Sequence, residues 1–157
     1  MPHDEAVFGG PDTERPWGVA VGGPGVVAVG GDSSGGETDA NAAVWISPDG
    51  VAWTRVADDG AIFGGASYQE MWGVGADGPG VVAVGYDASG RDVAAAVWVS
   101  ADGITWSRVA HDEAVFGGPG DQDMAAVARL GDRLVVVGNE YSGGDWDAAA
   151  WVGPPTG

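Results

Sequence analysis

The chain has 157 residues, 45% of them hydrophobic, with 30 glycines, nine prolines and no cysteine. That is enough apolar material for one domain with a core, and it excludes disulfides, thiolate metal sites and a disordered chain. Six arginines and no lysine stand against 23 acidic residues, and the resulting net charge of −17 argues against nucleic acid and anionic membranes as partners.

Taken in order, the chain predicts the same unit three times. Each unit opens on a Phe-Gly-Gly loop, at Phe8, Phe63 and Phe116. A first strand is predicted at 17–21, 72–76 and 125–129, ending in a turn rich in glycine (22–25, 77–80, 130–133). A second apolar strand follows at 26–30, 81–85 and 134–138. A Ser-Gly loop leads to a third at 42–47, 95–100 and 148–153. Asp49-Gly50 and Asp102-Gly103 then signal a hairpin into a fourth strand at 51–56 and 104–109. No segment has helical periodicity of useful length.

The spacing is regular. Trp45, Trp98 and Trp151 lie 53 residues apart, and the two extra residues of the first unit fall in the loop from Asp32 to Asp39, as a surface loop tolerates. The units run about 1–56, 57–109 and 110–157, and the third lacks its fourth strand. Strands two and three are apolar on consecutive residues, so both faces need cover. Strand four mixes in Thr54, Arg55, Ser107 and Arg108, as an outer strand does. The fold class is therefore all-β, with four-stranded units that stack as the blades of a β-propeller.

The segments Ser47-x-Asp49-Gly50-x-x-Trp53 and Ser100-x-Asp102-Gly103-x-Thr105-Trp106 resemble the Asp-box, or BNR, repeat of sialidase-like propellers, in a form contracted by one residue. The resemblance implies a turn tied by its serine and aspartate and anchored by its tryptophan. It carries little about activity, because the motif recurs in many non-enzymes.

Three blades do not close a ring, and residues 3–11 are identical to 111–119. The expectation is a homodimer of three-blade chains, joined head to tail as a six-bladed ring. A β-trefoil lectin is the competing fold.

Candidate ligand residues are the polar triplets predicted to enter each blade near the ring axis. These are Glu14 and Arg15 after Thr13, then Tyr68, Gln69 and Glu70, then Asp121, Gln122 and Asp123. Such a ring suits a sugar, a cation or a protein. The acidic Ser-Gly loops at 32–39, 87–92 and 140–145 read first as plain hairpin loops, with calcium as the alternative cofactor. Five tryptophans (45, 53, 98, 106, 151) read as core, Trp17 and Trp72 as core or platform, and Trp146 as an interface residue. His3 and His111 are copies of one another.

A sialidase-like glycoside hydrolase is the alternative function. Against it, Arg55 and Arg108 fall on outer strands, and Arg15, Arg129 and Arg133 form no repeated set. The expected role is a non-catalytic binding or scaffold module. The first residues lack the features of a signal peptide, and no apolar run reaches the ~20 residues of a membrane helix. No compartment is assigned, and a piece of an exported bacterial protein is compatible with these features.

Overall fold

The structure is a computed structural model that describes residues 5–9, 13–23, 25–33, 39–78 and 80–153. The chain is all-β, with three antiparallel sheets of four, four and three strands. Sheet 1 holds β1 (Glu14–Gly22), β2 (Gly25–Asp32), β3 (Asn41–Ser47) and β4 (Thr54–Arg55). Sheet 2 holds β5 (Gln69–Asp77), β6 (Gly80–Asp87), β7 (Ala94–Ser100) and β8 (Trp106–Arg108). Sheet 3 holds β9 (Asp121–Leu130), β10 (Arg133–Ser142) and β11 (Asp145–Val152).

Two elements were not expected. One-turn helices α1 (Glu5–Phe8) and α2 (Glu113–Phe116) sit in the linkers. They are too short to leave a periodic signature, and α2 is held by its N-cap, Asp112, which accepts from the Ala114 amide at 3.0 Å.

The fourth strands are shorter than predicted, because the turn before them is wider than a two-residue hairpin. Gly50 has φ +75° while Asp49 stays at negative φ, so the pair does not form the type I′ turn that Asp-Gly suggests. The Glu140–Asp145 loop is likewise tighter than expected: β10 runs to Ser142 and β11 starts at Asp145, with Gly143 and Gly144 both at positive φ between them.

The sheets stack in chain order, β1 against β5 and β5 against β9. Between sheets 1 and 2, Val27, Val29 and Val44 meet Met71, Ala83 and Trp98, and Phe63 and Trp106 seal the seam. Between sheets 2 and 3, Val84 and Ala95 meet Met124 and Val136. The outer ends of the stack are uncovered. On sheet 1, Val19 and Val21 are exposed. On sheet 3, Ala126 is paired with Val137 and Val137 with Ala150, and all three are exposed.

Each sheet is pinned to the linker before it by one indole. Trp45, Trp98 and Trp151 donate from Nε1 to the carbonyls of Val7, Ile62 and Val115, at 2.7, 2.8 and 3.0 Å. Trp45 and Trp98 are fully buried and Trp106 nearly so, while Trp53 and Trp151 are half-buried.

A bulge interrupts each inner strand. The register skips one residue between Pro16 and Gly18, between Met71 and Gly73, and in sheet 3 opposite Val137 and Gly138. The extra residues are Trp17, Trp72 and Ala125. Facing the bulges are Gly30, Gly85 and Gly138, where a Cβ would run into the carbonyl oxygens of Arg15, Glu70 and Asp123.

Candidate functional site

The bulges decide where the aromatic side chains go. An extra residue in one strand kinks it and re-aims its side chain. In sheets 1 and 2 that residue is a tryptophan, and the two indoles border one cleft with Glu70, of about 360 Å³. Trp17 is 54% exposed there, far from the core role considered for it. Trp72 is half-buried.

Glu70 is a strand residue, almost fully buried, and its carboxylate lies against sheet 1. Oε2 accepts from Trp72 Nε1 at 3.0 Å. Oε1 lies so close to Gly31 of sheet 1 that a Cβ there would stand 2.8 Å from it. Across the strand pair from Glu70 is Tyr86, whose ring meets Trp72 edge-on at 5.0 Å. Burial pushes the Tyr86 hydroxyl pKa up, and the charge and hydrogen bond of Glu70 push it further, with Tyr68 adding to this and Arg15 opposing it. Tyr86 is therefore a neutral hydroxyl at physiological pH, beside the Glu70 carboxylate and the Trp72 indole.

The polar triplets are entry loops only in part: Thr13 and Tyr68 precede their strands. Glu14, Gln69 and Asp121 each begin an inner strand, and the residues after them continue it. Polar composition suggested loops, but partners inside the sheets satisfy most of these groups. Gln69 is buried and donates from Nε2 to Asp87 Oδ1 (2.9 Å) and Ser89 Oγ (2.7 Å). Asp121 Oδ1 accepts from the Val93 amide at 2.8 Å, tying sheet 3 to the loop before β7. Asp123 Oδ1 accepts from Asn139 Nδ2 at 2.8 Å, and burial raises the Asp123 pKa. Glu14 and Tyr68 are half-buried and Arg15 is exposed. Of the candidates, Glu70 lines the cleft, and Tyr68 and Arg15 act electrostatically on Tyr86, the cross-strand neighbour of Glu70. The Asp121–Asp123 set belongs to sheet 3.

The sequence also missed a polar cavity of about 290 Å³ lined by Arg91, Asp92, His111, Glu113 and Gln122. Gln122 is buried there with neither amide atom hydrogen-bonded. His111 Nε2 lies 3.0 Å from Glu113 Oε2, and its copy His3 lies outside the described residues. Trp146 is 54% exposed and packs on Tyr141 at 5.1 Å. Among the described residues, no cluster of three or more His, Asp or Glu side chains is arranged to hold a metal ion. Residues 34–38 of the first acidic loop lie outside that set.

The serine–aspartate turns form one pattern twice. Ser47 Oγ accepts from the Gly50 amide (2.8 Å), Asp49 Oδ1 from the Val51 and Ala52 amides (2.8 and 2.8 Å), and Trp53 Nε1 donates to Gly50 O (3.3 Å). Ser100, Asp102, Gly103 and Trp106 repeat these bonds at 2.8, 2.8, 2.7 and 3.0 Å. The Thr105 and Ile104 amides bring the Asp102 pKa down to about 2. Oδ1 of each aspartate is engaged by its own turn.

The outer-strand arginines are also engaged. Arg55 pairs with Asp32 at 2.8 Å and lies over the Trp45 ring at 4.9 Å. Arg108 pairs with Asp87 and lies over Trp98 at 5.4 Å.

No protein-family model matches this chain, and none of the curated proteins or solved structures matches it either.

Proposed function

We propose that the chain is a non-catalytic binding and scaffold module made of sialidase-like, Asp-box β-propeller blades, and that it takes a carbohydrate at the Trp17–Glu70–Trp72 cleft. The carrying observation is the pair of bulge tryptophans beside one carboxylate. Flat indoles stack on the apolar faces of sugar rings, and a carboxylate orients the hydroxyls. A neutral sugar also suits a surface of net charge −17.

The scaffold part of the reading is a head-to-tail ring of two chains. It is supported by the apolar outer faces of sheets 1 and 3, which face water in a single chain. Three separate sheets weigh against the trefoil alternative. The engaged Arg55 and Arg108 weigh against the hydrolase alternative, because neither is free to hold a substrate carboxylate.

A glycan array followed by calorimetry tests the ligand. A neutral glycan should bind, and Trp17→Ala, at an exposed position, should weaken it by about tenfold or more with the fold intact. Equal binding by that variant, or turnover of a fluorogenic sialoside, would overturn the reading. Light scattering should give twice the 15.7 kDa chain mass, and a monomer at micromolar concentration would remove the ring.

A further inference from the structure

The seam between sheets 2 and 3 is built like the seam between sheets 1 and 2, with one side chain missing. Val29, Val44, Phe63, Met71 and Trp98 of the first seam correspond to Val84, Val97, Phe116, Met124 and Trp151 of the second. In the first seam Trp106 of β8 is packed among them at 3% exposure. In the second, the same side chains line an apolar cavity of about 510 Å³.

The edge beside that cavity is open in a defined way. β3 and β7 each pair with a fourth strand, through Trp45↔Arg55 and Trp98↔Arg108. Beyond those pairs, the amides of Val56 and Val109 donate to the carbonyls of Val44 and Val97, both at 2.9 Å. The counterparts on β11 are Trp151 and Ala150, and β11 pairs only with β10 among the described residues.

The charge pattern is left open as well. Asp32 and Asp87, two residues past the glycines opposite the bulges, each receive the arginine of the fourth strand. Glu140 holds that place on β10, and among the described residues it has no ion-pair partner. Trp151 likewise lacks the guanidinium that covers Trp45 and Trp98.

We propose that the β11 edge and its cavity form a strand-addition site for an extended peptide of the pattern Trp-x-Arg-Val, supplied from outside residues 1–157. The peptide lies antiparallel to β11. Its tryptophan fills the cavity, its arginine stacks on Trp151 and pairs with Glu140, and its valine amide donates to Ala150 O. Main-chain bonds supply affinity in this mode, and the side-chain slots supply specificity. Trp53-Thr-Arg-Val56 and Trp106-Ser-Arg-Val109 are already in place in sheets 1 and 2, and residues 154–157 carry no aromatic or basic side chain. The edge stays open whether or not two copies stack through sheets 1 and 3, so this proposal does not rest on the ring or on the sugar cleft.

The probe is a synthetic nonapeptide with the sequence of residues 102–110, Asp-Gly-Ile-Thr-Trp-Ser-Arg-Val-Ala, titrated by calorimetry and by amide NMR. One peptide per chain should bind, with shifts centred on β11 and Val136. Peptides with Trp→Ala or Arg→Glu should bind about tenfold or more weakly. Glu140→Gln in the protein should weaken the parent peptide and spare the Arg→Glu peptide. No shift at millimolar peptide, or equal binding of the Trp→Ala peptide, would overturn the proposal. So would dimers joined at β11 that the peptide fails to compete with, since they would assign the edge to a second copy. The peptide variants keep the test valid even if Glu140→Gln does not fold.

Discussion

Replacing Trp106 by alanine separates a seam-filling tryptophan from a merely repeated turn residue. Trp106 is 3% exposed among residues of both sheets 1 and 2, and its Nε1 donates to Gly103 O at 3.0 Å. Removing about 200 Å² of indole at ~25 cal/mol/Å² gives an upper bound of about 5 kcal/mol, and a compact unfolded chain lowers it by some 10–40%. Large aromatic truncations in cores cost about 3–5 kcal/mol, so the two routes agree. Trp53 occupies the same place in its own turn, but it is half-buried and packs on Phe8 at 5.6 Å. Its truncation should cost about half as much. In urea unfolding, Trp106→Ala should lower stability by about 3–5 kcal/mol with an unchanged slope, equivalent to a melting-temperature loss of roughly 6–20 °C. A cost below about 1 kcal/mol, or an equal cost for Trp53→Ala, would refute the placement of Trp106 as the plug between the sheets.

Two other perturbations probe the strand network. Gly85→Ala puts a methyl into the Glu70 carbonyl and should cost about 2–3 kcal/mol as the bulge rearranges; an unchanged urea midpoint would count against the bulge. Burial pushes the Asp87 pKa up, but hydrogen bonds from Ser89, Gln69 and Arg108 outweigh it and bring the pKa down to about 2, below the ordinary 3.8. A carboxyl lowered on folding stabilises above its unfolded value and loses that contribution as pH falls through the folded one. The urea midpoint should therefore drop between about pH 4 and pH 2, and Asp87→Asn should flatten that part of the profile. A wild-type profile already flat there would contradict the network.

The strand order was readable because apolar runs and glycine-proline turns alternate cleanly from Trp17 to Val152. The cleft was not. Trp17 and Trp72 each precede a Gly-Val pair and look like ordinary strand starts; the extra residue shows only when the partner register is counted. Glu70 was picked out, but as a member of a loop. Its bond to Trp72 is local, but the close approach of its carboxylate to Gly31 comes from another sheet and leaves no local signal. The bonds of the serine–aspartate turns were legible, since each falls within a few residues, but the turns are wider than the two-residue hairpin that Asp-Gly signals. Asn139, which satisfies Asp123, is 16 residues from it in sequence and is placed beside it only by the β9–β10 register.

The stacking order has an energetic consequence. Among the described residues, sheet 2 packs on both other sheets, and sheets 1 and 3 make no comparable contact with each other. Stability in such a stack is close to a sum of each layer's own term and one coupling per junction. The middle layer therefore has two couplings to lose and the end layers one. Loss of structure begins at the ends, and β6 is among the last strands to open. The junction between sheets 2 and 3 carries the cavity, so fraying is expected to start from β9–β11. A strand docked on β11 would strengthen that junction and make the three layers melt more nearly as one.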